Sequence, residues 1–297
     1  MLKLQRQGRG WLPDPPDSRD YIMGGDVPGD VAAMIVWLRQ FSRPNAKRPE
    51  CVDLRRLFED EQWPVHDQQE FNTSPVFASV GLVEYFERIA HDRELTPSYA
   101  YLYCMSRRIA DSRGDCGVSL RNCFRALRRF GLPPDRYWPY DNEHVTCDPV
   151  DPFLYSFARD YAQTYYVRVG PQKLSGKKTL RAVRSMLAAG FAVACGFATP
   201  NRLPDEGAVP YRPDVHEITT GQAVVLIGYD DTRRIGSETG ALLFRNSWGP
   251  EWGEDGYGWL PYVYVTERLA GDFWTLLRRE WIETGLATRR FSCPAFL

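Results

Sequence analysis

The chain changes character near residue 160, and this change limits its possible folds more than any other feature of the sequence. Before it, three segments carry apolar residues at helical spacing, beginning near Ser74, Leu95 and Ser119. After it, short segments rich in β-branched and aromatic residues alternate with Gly, Pro and Asp, which is typical of strands. This order predicts an α+β protein, with a helical part followed by a sheet or barrel.

The same pattern divides the chain into four regions. Residues 1–50 are predicted to be an N-terminal extension and 51–160 a helical lobe, followed by a β-rich lobe at 161–275 and a C-terminal tail at 276–297. The extension contains a proline-rich stretch, PDPPDSRDY, which is incompatible with a regular helix or a central strand. Its apolar stretch at residues 31–40 is compatible with one helix packed on the body.

Composition and charge argue against several classes of function. A net charge of -1 on 297 residues gives no electrostatic case for nucleic-acid binding, which needs a basic face. The chain has no apolar run typical of a signal peptide or a transmembrane helix, so we expect a cytoplasmic protein without membrane contact. Its seven cysteines show no CxxC or zinc spacing, which predicts mostly reduced, buried thiols and no metal or cofactor.

Three short blocks carry the candidate chemistry. DQQEFNTSPVF begins at Asp67, TGQAVVLIGYDD begins at Thr220, and FRNSWGPEWGEDGYGWLP begins at Phe244. In the first block, Ser74 is predicted to cap a long buried helix whose first residue is Pro75.

In this order, the three blocks resemble the papain family of cysteine peptidases, in particular its bacterial cytosolic branch. The third block matches the family pattern NSWGxxWGxxGY. The second matches GGHAVxxVGYDD at Gly221, Ala223, Val224 and 228–231, with Gln222 at the position of the histidine. The resemblance covers about residues 50–275. It implies a papain-like fold of two lobes, one helical with a long buried central helix and the other β-barrel-like.

The resemblance also implies a site with two changed positions. Ser74 stands where the family has its nucleophilic cysteine, and Gln222 stands where the family has its histidine base. Gln68 matches the oxyanion-hole glutamine, Asn246 matches the asparagine that orients the histidine, and Trp248 is expected to pack over the site.

A further stretch, DCGVSLRN from Asp115, is similar to the family loop that supplies backbone hydrogen bonds to the substrate peptide. The similarity implies that Cys116 and Gly117 line the cleft. A relocated nucleophile at Cys116 is disfavoured, because no helix terminus or basic partner is evident that would lower the pKa of its thiol.

The two changed positions remove the chemistry of a peptidase. A serine hydroxyl needs an adjacent base, a helix dipole contributes only about 0.3–1 kcal/mol, and a glutamine amide takes no proton near pH 7. We therefore interpret the chain as a catalytically inactive pseudopeptidase that binds a peptide or protein segment in the interlobe cleft. The expected binding residues are Gln68, Ser74, Cys116, Gly117, Gln222, Asn246 and Trp248.

Two alternatives stay open at this point. One is an enzyme of altered chemistry, a Ser74-dependent hydrolase or acyl or amide transferase with His216 or His66 as its base. The other is a structural subunit with a vestigial cleft, whose N-terminal extension docks a partner. Active relatives often carry an inhibitory propeptide in this region. Here we expect a permanent structural segment that runs across one lobe or partly fills the cleft.

Overall fold

The helical lobe is built around one long buried helix. The structure is a computed structural model that describes residues 9–22, 29, 32–36, 48–55, 63–146, 151–170, 174–199, 203–211 and 221–283. Helix α1 spans Ser74–His91 and is buried over most of its length. The remaining helices are α2 (Tyr99–Ala110), α3 (Leu120–Phe130), α4 (Asn142–Thr146), α5 (Leu154–Phe157), α6 (Gly176–Ala188), α7 (Val263–Thr266) and α8 (Arg279–Glu283), with 3₁₀ turns at Asp135–Tyr137 and Arg159–Tyr161.

Serine caps explain where two of these helices begin. Ser98 and Ser119 precede α2 and α3, and each hydroxyl accepts a hydrogen bond from the backbone N–H three residues later. The prediction that Ser74 caps α1 is wrong by one residue, because Thr73 is the cap, without a side-chain hydrogen bond, and Ser74 begins the helix. The backbone N–H of Ser74 therefore has no acceptor within its own helix.

The strands are β1 (Cys51–Asp53), β2 (Tyr165–Arg168), β3 (Val193–Ala198), β4 (Gly221–Ile235), β5 (Glu238–Arg245), β6 (Tyr257–Pro261) and β7 (Ala270–Leu277). They form one antiparallel sheet in the order β2–β7–β3–β4–β5–β6, with β1 paired to β4. In the β3–β4 register, Gly196 pairs with Ala223 and Ala198 pairs with Gly221. Gly196 and Gly221 therefore lie diagonally on the same face of the sheet, where neither contributes a side chain.

The expected α+β architecture, with a helical lobe before a β-rich lobe, is confirmed. Helix α1 carries a buried carboxylate, Glu84, which accepts hydrogen bonds from Trp63 Nε1 at 3.2 Å and from the Tyr99 hydroxyl at 2.6 Å. Arg245 of β5 lies 3.6 Å from the same carboxylate. A charge buried in a core is tolerated only with such partners, so Glu84 ties the central helix to the sheet.

Two regions outside the lobes, the apolar stretch at 31–40 and the C-terminal tail, lie only partly within the described residues. Residues 32–36 are helical and Ile35 is buried, as expected for the apolar stretch at 31–40, but the rest of that stretch lies outside the described residues. Most of the C-terminal tail, from residue 284 onwards, also lies outside them. The division into four regions stays a prediction.

The cysteines require one correction. Cys104, Cys123 and Cys195 are free and buried, as expected, and Cys116 is free but exposed. Cys51 is disulfide-bonded. The expectation of mostly reduced, buried thiols thus fits Cys104, Cys123 and Cys195 but not Cys51.

A buried ionic cluster fixes the N-terminal segment to both lobes. This anchor cluster consists of Asp14, Asp20, Arg121, Arg168 and Asp272. Arg121 of α3 lies 2.6 Å from Asp20 and 3.9 Å from Asp14. Arg168 of β2 lies 3.4 Å from Asp14 and 3.2 Å from Asp272 of β7. Each of these side chains is at most 7% exposed, so the N-terminal segment is part of the folded body.

We expect Asp14→Ala to lower the free energy of unfolding by about 3 kcal/mol, because it removes the acceptor of two buried donors, Trp274 Nε1 and the Arg121 backbone N–H, at about 1–3 kcal/mol each. Urea unfolding followed by circular dichroism measures the loss. Asp17→Ala is the control, since Asp17 pairs with Arg19 and Arg125 nearer the surface and its removal should cost much less. Equal losses for the two variants would contradict the anchoring role of Asp14.

Candidate functional site

The chain's own N-terminal strap, residues 9–14, lies where the start of α1 meets the start of β4. The Arg9 carbonyl accepts hydrogen bonds from the backbone N–H of Ser74 and from Gln68 Nε2, both at 3.1 Å. The first residue of α1 thereby gains the acceptor that its helix does not provide.

The strap continues along the cleft through backbone hydrogen bonds to both sides. Trp11 N donates to the Gly221 carbonyl at 3.0 Å, at the start of β4. On the helical side, Val118 N donates to the Gly10 carbonyl at 3.0 Å, and Leu12 N donates to the Val118 carbonyl at 3.2 Å. These bonds hold an extended peptide between the lobes, in the manner of an added strand.

The side chain of Trp11 fills a pocket over the sheet. A Cβ atom at Gly196 would lie 2.0 Å from the Trp11 ring, and one at Gly221 would lie 2.3 Å from it. The indole Nε1 donates to Asp272 Oδ2 at 3.2 Å, and the Asp14 backbone N–H donates to the same oxygen at 2.7 Å. The two glycines are therefore the residues that make room for the indole.

Behind the strap, a buried network joins the polar residues that the sequence singled out. Gln222 Nε2 lies 3.0 Å from Gln68 Oε1, 2.9 Å from Asn246 Oδ1 and 3.2 Å from Ser247 Oγ. The Ser247 hydroxyl also donates to Gln68 Oε1 at 2.5 Å. An amide NH₂ has two hydrogens, so the three acceptors share them.

Ser74 does not belong to this network. Its side chain is fully buried, and its Oγ accepts a hydrogen bond from the Ala223 backbone N–H at 3.1 Å. The structure therefore places Ser74, Gln222 and Asn246 in one buried region, but no basic side chain of the described residues contacts the Ser74 hydroxyl.

Two buried polar atoms of the network lack a hydrogen-bond partner among the described residues. These are Gln222 Oε1 and Asn246 Nδ2.

Trp248 packs beside the network. Its ring meets that of Trp252 edge to face at 5.4 Å between centroids, and its backbone bridges to Asp67. The neighbouring hydrogen bond from Gln68 N to the Ser247 carbonyl, at 2.8 Å, fixes the glutamine against the sheet lobe.

Cys116 and Gly117 occupy different environments. Gly117 is buried against the strap, where a Cβ atom would lie 2.5 Å from the Gly10 carbonyl oxygen. The Cys116 thiol is exposed and donates to the adjacent Gly117 carbonyl at 3.3 Å. Val118 makes the backbone hydrogen bonds to the strap, so the expected contact role of Cys116 falls to its neighbours.

The two histidines considered as bases are not joined to Ser74 by any described contact. His66 lies 3.7 Å from Glu84, and its ring packs edge to face on Tyr99 at 5.4 Å. Burial lowers the pKa of His66, with the charges of Glu84 and Arg245 acting in opposite directions. His216 lies outside the described residues. In the part of the chain that the structure describes, no group of three or more His, Cys, Asp or Glu could hold a metal.

Asp272, at the base of the Trp11 pocket, accepts the hydrogen bond from the Trp11 indole and has a raised pKa. Burial, and then the negative charge of Asp14, raise the pKa of Asp272 to about 6, while Arg168 opposes the shift. In the anchor cluster three carboxylates face two guanidinium groups, so one carboxylate gains from holding a proton.

Sequence reasoning missed five residues of this cleft. These residues are Trp11, Val118, Gly196, Gly221 and Asp272. Trp11 offered the one signal in the sequence, a tryptophan preceded by glycine in a polar extension, and the other four positions have no distinctive pattern. Strand register and the path of the chain bring the five residues together.

Comparison with known proteins agrees with this fold of a helical lobe and an antiparallel sheet. The family model for papain family cysteine proteases matches residues 48–263. The chain therefore belongs to the papain family.

Individual relatives are distant. Xylellain, a cysteine protease from Xylella fastidiosa, superposes with a TM-score of 0.69 at 28% identity, covering 94% of this chain and 100% of that chain. The uncharacterized peptidase C1-like protein L477 of Acanthamoeba polyphaga mimivirus is 23% identical over 281 residues, 90% of this chain and 86% of that protein. Cathepsin K of Gallus gallus is 26% identical over 219 residues, 72% of this chain but only 59% of the cathepsin. Among the described residues, no helix has the length and apolarity needed to span a membrane.

We expect Gly196→Ala to displace the strap, because the added methyl group would occupy the volume of the Trp11 ring. Overpacking of this kind costs about 1–3 kcal/mol. In a Trp11→Ala background the same substitution should cost almost nothing, since the ring is absent. A double-mutant cycle by urea unfolding measures this coupling, and additive losses would argue against the pocket.

A second prediction concerns pH. Asp272 binds its proton with a pKa of about 6 in the folded protein and near its ordinary value, about 3.9, when unfolded. The folded state therefore binds more protons between these values, and the contribution of Asp272 to stability falls as pH rises from about 4 to about 6. Between pH 4.5 and pH 7, the wild type should lose more unfolding free energy than Asp272→Asn. Parallel pH profiles of the two proteins would contradict the assignment.

Proposed function

We propose that this chain is a pseudopeptidase, a papain-family protein without peptidase activity whose interlobe cleft binds an extended peptide or protein segment. The observation that carries the proposal is the strap itself. Its backbone between Arg9 and Leu12 is hydrogen-bonded by Ser74, Gly221 and Val118. The cleft thus recognises main-chain groups of an extended segment, and a peptide of similar sequence presents the same groups.

The absence of catalysis is inferred from the groups around Ser74. By family resemblance, Ser74 and Gln222 replace the nucleophilic cysteine and the base. Gln222 is a neutral amide that does not take up a proton near pH 7, so it provides no general base for a hydroxyl. The Arg9 carbonyl also occupies the donors that would stabilise a developing oxyanion.

A purely structural protein is the second candidate, and one observation favours it. The anchor cluster ties the strap to α3, β2 and β7 through side chains that are almost fully buried. A strap held in this way would act as a permanent cover, and the cleft would take no other peptide. The enzyme of altered chemistry has no supporting contact among the described residues.

A peptide-binding experiment distinguishes a cleft that binds other peptides from a cleft that its own strap closes permanently. We expect a fluorescent peptide RGWLPDPP, the sequence of residues 9–16, to bind the full-length Trp11→Ala variant in a saturable manner. The wild type should bind it at least about tenfold more weakly, a difference of about 1.4 kcal/mol, because its own strap competes. Fluorescence anisotropy measures both affinities.

One control removes the indole from the peptide, and the other fills the pocket that the indole occupies. The peptide RGALPDPP, which lacks the indole, should bind Trp11→Ala weakly. RGWLPDPP should bind the Trp11→Ala/Gly196→Ala double variant weakly, because the new methyl group fills the pocket. If neither peptide binds a folded Trp11→Ala protein, the cleft is closed and the structural candidate is favoured.

Labelling tests the loss of catalysis. We expect no labelling by a fluorophosphonate in the wild type or in Trp11→Ala, because the Ser74 hydroxyl has no base. Labelling that disappears on Ser74→Ala would overturn the proposal in favour of the altered enzyme.

Restoring the dyad tests the role of the strap. The Ser74→Cys/Gln222→His variant should react with an E-64-type epoxide only slowly, because the strap covers the site. Adding Trp11→Ala should accelerate the reaction. Equal rates with and without Trp11 would show that the strap does not guard the cleft.

A further inference from the structure

A second cavity lies beside the cleft, on the helical lobe. It has a volume of about 210 Å³. Drug-sized ligands occupy pockets of about 300–1,000 Å³, so this cavity fits a small molecule or a single side chain. The residues of its lining that matter for recognition are His66, Asp67, Phe77, Tyr99, Asp135 and Tyr140.

Three aromatic rings form one wall of the cavity. Phe77 stacks on Tyr99 with 4.2 Å between ring centroids, and Tyr140 meets Phe77 edge to face at 5.1 Å. The Tyr99 hydroxyl is bonded to Glu84, and the Tyr140 hydroxyl is bonded to the Gln68 carbonyl. Because both hydroxyls are engaged elsewhere, the tyrosines present mainly their rings to a ligand.

Two carboxylates complete the lining, and neither has a counter-ion among the described residues. Asp67 Oδ1 accepts only the backbone N–H of Gln69, at 2.7 Å. Burial raises the pKa of Asp135, an effect reduced by a hydrogen bond from the Tyr140 backbone. A half-buried carboxylate of this kind is stabilised when a cation approaches it.

The charges around the cavity leave it negative at neutral pH. The pKa of His66 is lowered by burial, so its ring is mostly neutral. The buried guanidinium of Arg245, whose charge acts on His66, is paired with Glu84 at 3.6 Å. Asp141 adds a further negative charge near Asp135. The His144 ring also acts on Asp135, but it lies 2.7 Å from Asp141 and pairs with that carboxylate.

From these features we propose that the cavity is a binding site for a small alkylammonium cation. The ammonium group would lie between the carboxylates of Asp67 and Asp135, and its alkyl chain would pack against the aromatic wall. Aromatic faces attract cations through their quadrupole, and the half-buried carboxylate of Asp135 and the exposed carboxylate of Asp67 add charge complementarity. The same chemistry is presented by a free amine and by a lysine side chain of a protein. The site is independent of the proposal for the cleft.

Matched ligands test the charge requirement on the full-length protein. We expect n-butylammonium to bind at pH 7.5, with saturable shifts of amide resonances near Tyr99 and Asp135 in NMR titrations. Its neutral isostere, 1-butanol, should bind at least about tenfold more weakly, because it lacks the charge. Nα-acetyl-lysine amide distinguishes the sources: a preference for it over butylammonium assigns a protein side chain, and the reverse preference assigns a free amine.

Matched variants test the residues. Asp135→Asn keeps the acceptor for the Tyr140 backbone but removes the charge, and it should weaken butylammonium binding about tenfold. Asp67→Asn provides a second test of the same charge if Asp135→Asn does not fold. Glu143→Gln removes an exposed carboxylate outside the cavity lining and should leave the affinity unchanged.

Three results would overturn the proposal. Butanol binding as tightly as butylammonium would make the cavity merely apolar. An unchanged affinity in folded Asp135→Asn and Asp67→Asn proteins would remove the carboxylates from the site. The absence of binding by both the amine and the lysine derivative would mean that the cavity takes no alkylammonium ion.

Discussion

The structure depends on how the buried N-terminus of helix α1 satisfies its first backbone N–H. Ser74 begins this helix inside the protein, so its N–H has neither a helical acceptor nor water. The Arg9 carbonyl accepts that hydrogen bond, together with one from Gln68. The two donors at the start of α1 are therefore satisfied by the chain's own N-terminal strap.

The remaining contacts of the strap follow from this position. With Arg9 at the helix start, Trp11 reaches the two glycine positions of the sheet, and Asp14 reaches the arginines of both lobes. The indole contributes apolar burial, and Asp272 receives its N–H. Because the anchor cluster has three carboxylates for two guanidinium groups, its charge balance varies with pH. The contact between the strap and Asp272 therefore changes in strength with pH.

Much of the fold could be predicted from the sequence, and less of the site. The helices beginning near Ser98 and Ser119 have serine caps and apolar periodicity, so local chemistry indicated them. The strands that became β3, β4 and β5 were visible as β-branched and aromatic runs. The cap of α1 was misplaced by one residue, because Ser74 Oγ bonds to Ala223, which is 149 residues away. No local pattern predicts such a bond.

The sequence by itself determined the α+β class, the family resemblance and the residue types at positions 74 and 222, since these depend on composition, periodicity and motif spacing. Only the tertiary structure decided what lies in the cleft. The strap's partners are far apart in the chain, from Ser74 to Asp272, and strand register and helix packing bring them within hydrogen-bond distance. The aromatic cavity beside the cleft has the same origin, because Asp67, Tyr99 and Asp135 meet only after the helical lobe has folded.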